Sequence, residues 1–141
     1  GAALADVVAE LRQANPDRTV LEQISIAQPV RCDRGRMQQL LSNLLGNALT
    51  YGAVDQPVVV AAGIEADALV LSVANGGTPI PPDDLGRVFE PYWRPHSSKP
   101  GGGLGLGLYI CAQIARAHGG VLEVSSSVQD GTRFVARFPV V

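Results

Sequence analysis

The chain has almost no sulfur chemistry, no run of like charge and no long apolar stretch, and each lack argues against a class of function. Cys32 and Cys111 are its only cysteines, far apart and in apolar company. They read as two reduced core thiols of a cytosolic protein, not as a disulfide framework. The 11 Lys and Arg residues are scattered and offset by 13 Asp and Glu, giving a net charge of −2. That balance argues against a nucleic-acid partner and against a membrane-surface helix. The longest apolar stretch, Val58–Ile64, is only strand-sized, so neither a membrane span nor a signal peptide is expected. A length of 141 residues suits one domain with a real core. The opening Gly1, without a Met, suggests a fragment of a longer protein.

Glycine, by contrast, is plentiful and concentrated. Gly101, Gly103, Gly105 and Gly107 fall on alternate positions, with Gly102 filling one gap and Leu104, Leu106 and Leu108 the later ones. The apolar run 109–112 follows at once. Such dense glycine leaves backbone N–H groups open to close approach, and a glycine loop feeding a helix favours an anion such as phosphate. A plain flexible linker is the bland alternative, but it would lack the interleaved leucines. Other nucleotide signatures fail. No Lys follows the glycines as Walker A requires, the dinucleotide spacing and its preceding strand are missing, and protein-kinase signatures are not found.

Periodicity predicts a helix over Leu4–Gln13, then a strand over Arg18–Ile26 and a short strand at Val30–Cys32. Asp33 can cap a helix over Arg34–Tyr51 that Gly52 ends. Strands follow over Pro57–Ile64 and Ala68–Ala74, joined at Glu65–Asp67. From Asn75 to Gly103 the chain reads as loop, with one short turn at Pro82–Val88. A helix over Leu104–His118 stops at Gly119-Gly120. A closing hairpin pairs Val121–Val128 with Thr132–Pro139 across Gln129–Gly131. Strands arriving in pairs between helices imply an α+β fold, a two-layer sandwich with a mixed sheet and helices on one face.

The helix over Arg34–Tyr51 carries two stripes. Leu40, Leu41, Leu44, Leu45, Ala48 and Leu49 form an apolar one; Gln39, Asn43, Asn47 and Tyr51 recur every four residues on another. Each mid-helix Asn costs roughly half a kcal/mol against Ala. Their amide oxygens are hard donors that can share a Mg²⁺ with phosphate. A solvated polar face is the alternative, and on this helix alone the two stand even. Beside the glycine loop, the functional reading gains.

Four blocks in order now resemble the ATP-binding catalytic domain of bacterial sensor histidine kinases, within the wider superfamily that includes gyrase. Residues 39–51 look like that family's N box, and residues 73–81 like the first glycine box. Residues 88–94 resemble the F box, and residues 101–108 the second glycine box. The run at 117–120 and the late segment 131–134 also fit, so the likeness covers about Leu4 to the end. It implies the Bergerat ATP-binding fold, ATP and Mg²⁺ as cofactors, and transfer of the γ-phosphoryl group to a His on a separate phosphoacceptor domain of the same or a sister protomer. A response regulator would be the next partner.

By the resemblance, Asn47 is the principal Mg²⁺ ligand, with Asn43 supporting the metal or the phosphates. Hydrolytic relatives place a water-activating Glu at Asn43; an amide is no general base, which favours phosphoryl transfer over hydrolysis. Tyr51 flanks the nucleotide or packs on the sheet. Asn75, Gly77 and Pro79 belong to the first glycine box, and Thr132 reaches adenine through water. Residues 82–102 form an ATP lid whose Arg94 and Lys99 are the candidate phosphate cations; Phe89 and Trp93 pin it. Gly101, Gly103, Leu104, Gly105, Leu106 and Gly107 border the triphosphate. His96 and His118 lack the setting of an acceptor, so the acceptor lies elsewhere.

Two departures stand out. Asn75 replaces the usual Asp that accepts from the adenine amino group, and Pro79 stands where glycine is common. The amide oxygen can still accept, at a loss of about 1 kcal/mol. The variant resembles some phytochrome-type kinases. Thr50 replaces a common Lys or Arg, putting one phosphate contact in doubt. Two rivals follow: a non-catalytic signalling module that keeps the fold but has weakened ATP binding, and an anti-sigma-type serine kinase, which the long F box disfavours. Localisation is expected to be cytoplasmic, the parent protein being soluble or membrane-anchored, with no direct membrane contact from this fragment.

Overall fold

The computed structural model describes residues 2–26, 33–53, 55–77, 79–91 and 107–139. Three helices, α1 (Ala2–Ala14), α2 (Arg34–Tyr51) and α3 (Gly107–Ala117), pack on one sheet of five strands. The strands are β1 (Val20–Ser25), β2 (Val58–Glu65), β3 (Ala68–Asn75), β4 (Val121–Ser127) and β5 (Gly131–Pro139). Their order across the sheet is β1-β2-β3-β5-β4, with β1 and β2 parallel and every other pair antiparallel. The parallel pair needs a crossover connection, which α2 provides. This is the mixed sheet and α+β sandwich that the pairing of strands between helices implies.

α2 lies between α1 and α3. Asp33 caps it by accepting from the Arg36 N–H at 3.0 Å, and Gly52 closes it with its N–H on Ala48 O at 2.8 Å. Its leucines 40, 41, 44 and 45 have no exposed surface. They join Val58, Val60, Leu71, Val73 and Phe134 in one core cluster, so the apolar stripe binds the helix to the middle of the sheet. Burying each such side chain contributes roughly 1.5–3 kcal/mol relative to exposure.

Most boundaries fall within a residue or two of the sequence reading, and three of the differences bear on the site. β1 starts at Val20, not Arg18, because the Arg18 guanidinium is drawn to the end of α2, where it donates to Leu49 O and Ala53 O. The Leu49 carbonyl, in the last turn of α2, would otherwise be an orphan of the helix terminus, while Ala53 O also accepts from Gln56 N–H at 3.2 Å. β3 runs on to Asn75 because β5 offers Thr132 as its ladder partner. His118 lies one residue beyond α3. The strand expected at Val30–Cys32 lies outside the described residues. In the β2–β3 turn, Ala66 (φ 47°) and Asp67 (φ 63°) both adopt left-handed backbone, as a tight hairpin of this type requires.

Candidate nucleotide site

Side chains of alternate parity on β3, β4 and β5 face the helices, and at one end of the sheet that face turns polar. Asn75, Thr132 and Ser126 are successive register partners across β3, β5 and β4. Thr132 is buried, while Asn75 and Ser126 are half-buried. Ser126 Oγ and Thr132 Oγ1 are 2.7 Å apart, and the Ile80 N–H donates to Ser126 Oγ at 2.8 Å. The Asn75 amide donates to Gly76 O at 3.0 Å, which leaves its oxygen open to accept from elsewhere.

Glycine lets the backbone close around this row. A Cβ on Gly131 would meet Asn75 O at 2.3 Å, and its φ of 74° disfavours any side chain. Gly77, at φ 120°, would drive a Cβ to 2.9 Å from Ala53 N. The Ala53 N–H meanwhile bonds Gly76 O at 2.9 Å. The turn after α2 and the segment after β3 are thereby fastened together, with Arg18 behind them.

The amide stripe lies on the helix that ends against this row, since a Cβ on Gly52 would lie 2.9 Å from Asn75 Cβ. Asn43 Nδ2 donates to Gly107 O over 3.5 Å, a long and weak bond that brings the stripe to the first turn of α3, where the glycine run ends. Asn47 is half-buried one turn further along, with no bonding partner among the described residues. Gln39 accepts from Arg36 at 3.1 Å. Thr50 turns its hydroxyl back onto Gly46 O at 2.9 Å. Burial pushes the Cys111 thiol up to about 12, against smaller lowering contributions from the Asn43 amide and its own backbone.

Several expected site residues cannot be placed. Arg94, Lys99, Gly101, Gly103, Leu104, Gly105 and Leu106 lie outside the described residues, as do His96, Trp93 and the Tyr51 side chain; the expected lid is described only as far as Pro91. Its first part is a succession of turns over residues 82–90. There Val88 is buried, and Phe89 sets its ring edge-on to Phe134, with centroids 6.0 Å apart. His118 shares a hydrogen bond with Ile114 O at 2.8 Å and lies edge-on to Phe138, a packing role. Among the described residues no cluster of three His, Cys, Asp or Glu side chains could hold a metal alone. The amide oxygens of Asn43 and Asn47 could share a divalent cation with phosphate oxygens, a hard, all-oxygen donor set of the kind that suits Mg²⁺.

Sequence reading missed Ser126 and Arg18. Ser126 shares the parity of the partly buried Leu122 and Val124, so a polar residue on a core-facing strand position was the available signal. Arg18 had none, since its partners lie 31 and 35 residues away.

Residues 32–141 match the model of the family described as Histidine kinase-, DNA gyrase B-, and HSP90-like ATPase. The chain belongs to that family, as a catalytic ATP-binding domain of the sensor histidine kinase kind. It is similar to the sensor protein SrrB of Staphylococcus aureus, 33% identical over 109 residues that make up 76% of this chain and 19% of that protein. The chain thus spans about a fifth of the length of the curated relatives it matches. Among solved structures, a mycobacterial sensor histidine kinase, MprB, superposes with a TM-score of 0.83 at 25% identity, covering 99% of this chain and 94% of that one. Full-length ShkA in complex with AMPPNP gives 0.81 at 25% identity, covering 99% of this chain and 30% of that one. Among the described residues no helix is long and apolar enough to cross a membrane.

Proposed function

We propose that this domain binds Mg-ATP and passes the γ-phosphoryl group to a histidine on a separate phosphoacceptor domain, in a two-component pathway with a response regulator downstream. The observation that carries this reading is that α2, which sets Asn43 against the first turn of α3 and Asn47 one turn further on, ends against the polar row of the sheet, where a Cβ on Gly52 would lie 2.9 Å from Asn75 Cβ and Asn75 pairs with Thr132. Asn75 keeps its amide oxygen for an exocyclic amino group, and the adjacent Thr132 hydroxyl supplies a second polar contact. Asn47, uncommitted to any described residue, is the main metal ligand, with Asn43 in support. Mg²⁺, when bound, neutralises phosphate charge during transfer; the chain's own part is to position and to exclude water. The amide at Asn43 can orient groups but cannot take a proton from water, which favours transfer over hydrolysis. Arg94, Lys99 and the glycines before Gly107 are assigned to the phosphates by resemblance alone. A cytoplasmic location fits the same reading.

The test is transfer in trans. Purified domain, Mg²⁺ and γ-labelled ATP are incubated with a helical acceptor domain carrying its His, and acid-labile label on the acceptor is the expected result. Binding without transfer would favour the non-catalytic module, for which the exchange of a carboxylate for Asn75 is the motive.

A further inference from the structure

We propose that Ser126 is a positioning residue for base recognition: it holds Thr132 as a hydrogen-bond donor towards the ligand and ties the chain at Ile80 to the same row. The inference rests on the reading of this end of the sheet as a nucleotide site. Ser126 is the third member of the row Asn75–Thr132–Ser126, and its side chain is bonded on two sides. A backbone N–H can only donate, so Ser126 Oγ is the acceptor towards Ile80. Its one proton is then free for Thr132 Oγ1 at 2.7 Å. Bonds running in one direction polarise one another, and this direction leaves the Thr132 proton without a partner among the described residues. The opposite direction would give Ser126 two incoming donors and end the run there, with the spare proton on Ser126 instead of Thr132.

The same oxygen fixes where the polypeptide leaves the site. Ile80 follows Pro79 in the segment after β3 and packs against the core, and Ser126 is the side chain that holds its N–H. Removing the Ser126 oxygen would therefore free Thr132 to rotate and release Ile80 in one step. Of the three consecutive serines on β4, Ser126 alone has both contacts, because Ser125 and Ser127 take the opposite parity.

A double-mutant cycle read by calorimetric titration with Mg-ADP tests this. Ser126→Ala is expected to weaken binding about five- to tenfold in the wild-type background and only about twofold in a Thr132→Val background, where its hold on Ile80 is the part that remains. Ser126→Thr, which restores the oxygen, is expected to retain wild-type affinity. Thermal melts of each variant confirm that the titrated protein is folded. Should Ser126→Ala not fold, Ser126→Cys, which keeps the shape but bonds weakly, takes its place in the cycle. Equal weakening in both backgrounds, or no weakening in the wild type, would overturn the inference alone. A wild-type protein that binds no Mg-ADP at millimolar concentration would overturn the nucleotide reading and this inference with it.

Discussion

The two faces of α2 have been treated differently by the rest of the fold. Leu40, Leu41, Leu44 and Leu45 are wholly enclosed, each matched by core side chains from the sheet and the flanking helices. The row Gln39, Asn43 and Asn47 is only half-buried, and its bonds to α3 come from Asn43, a long one to Gly107 O and one to the Cys111 thiol. One face is completed by the protein; the other carries hydrogen-bonding capacity the described protein does not use. Two Asn residues inside a helix are unfavourable by about half a kcal/mol each, and at Asn47 no bond to a described residue offsets that cost. The difference separates what folds the domain from what the domain holds.

Truncation on the enclosed face should have the largest effect. Leu44→Ala is expected to destabilise by about 3 kcal/mol, the usual range for a Leu-sized cavity, seen as a lower urea midpoint at unchanged slope. A loss under 1 kcal/mol would mean the enclosed face is not what anchors α2. A second effect arises where the faces meet, at Cys111. Its thiol is raised to about 12 by burial, so above the unfolded value near 9 the unfolded chain releases a proton that the folded chain keeps. The stability this gives the folded state is fully present below pH 9. It is lost at about 1.4 kcal/mol per pH unit as pH rises towards 12. Melting temperatures from pH 8 to 11 should show that fall, and iodoacetamide should leave Cys111 unmodified at pH 8 in the folded protein. The smallest effect belongs to the open face. Gly46 sits beside Asn47 with nothing within 4 Å of a Cβ, so Gly46→Ala should stabilise by about 0.8–1 kcal/mol. Weaker nucleotide binding by the same variant would show that the space over Gly46 is used by the ligand.

How much of this was legible in the sequence depended on whether the cause was local. α2 could be read from Asp33 to Gly52 because cap, period and stop all lie within it. β2 and β3 were legible to within a residue or so from their β-rich runs and the turn between. Arg18 was read as strand because its side chain is captured by carbonyls 31 and 35 residues away, which no local pattern encodes. Asn75 was read as loop because its strand pairing depends on Thr132, from the far end of the chain. The amide stripe and the glycine run could be read as a candidate site from spacing and resemblance. That Asn75 and Thr132, named by resemblance, stand in one row with Ser126 could not, since rows across a sheet exist only once its strands are ordered.

Calorimetric titration of Mg-ADP into the wild type and Asn47→Ala, each repeated with Mg²⁺ chelated, tests the central claim most directly. The wild type should bind at least tenfold more tightly with Mg²⁺ than without it. Asn47→Ala should lose that gain while melting at the same temperature or slightly higher, because Ala is the better helix former. A variant that keeps the full benefit of Mg²⁺, or a wild type indifferent to it, would contradict the assignment of the open face of α2 to the metal.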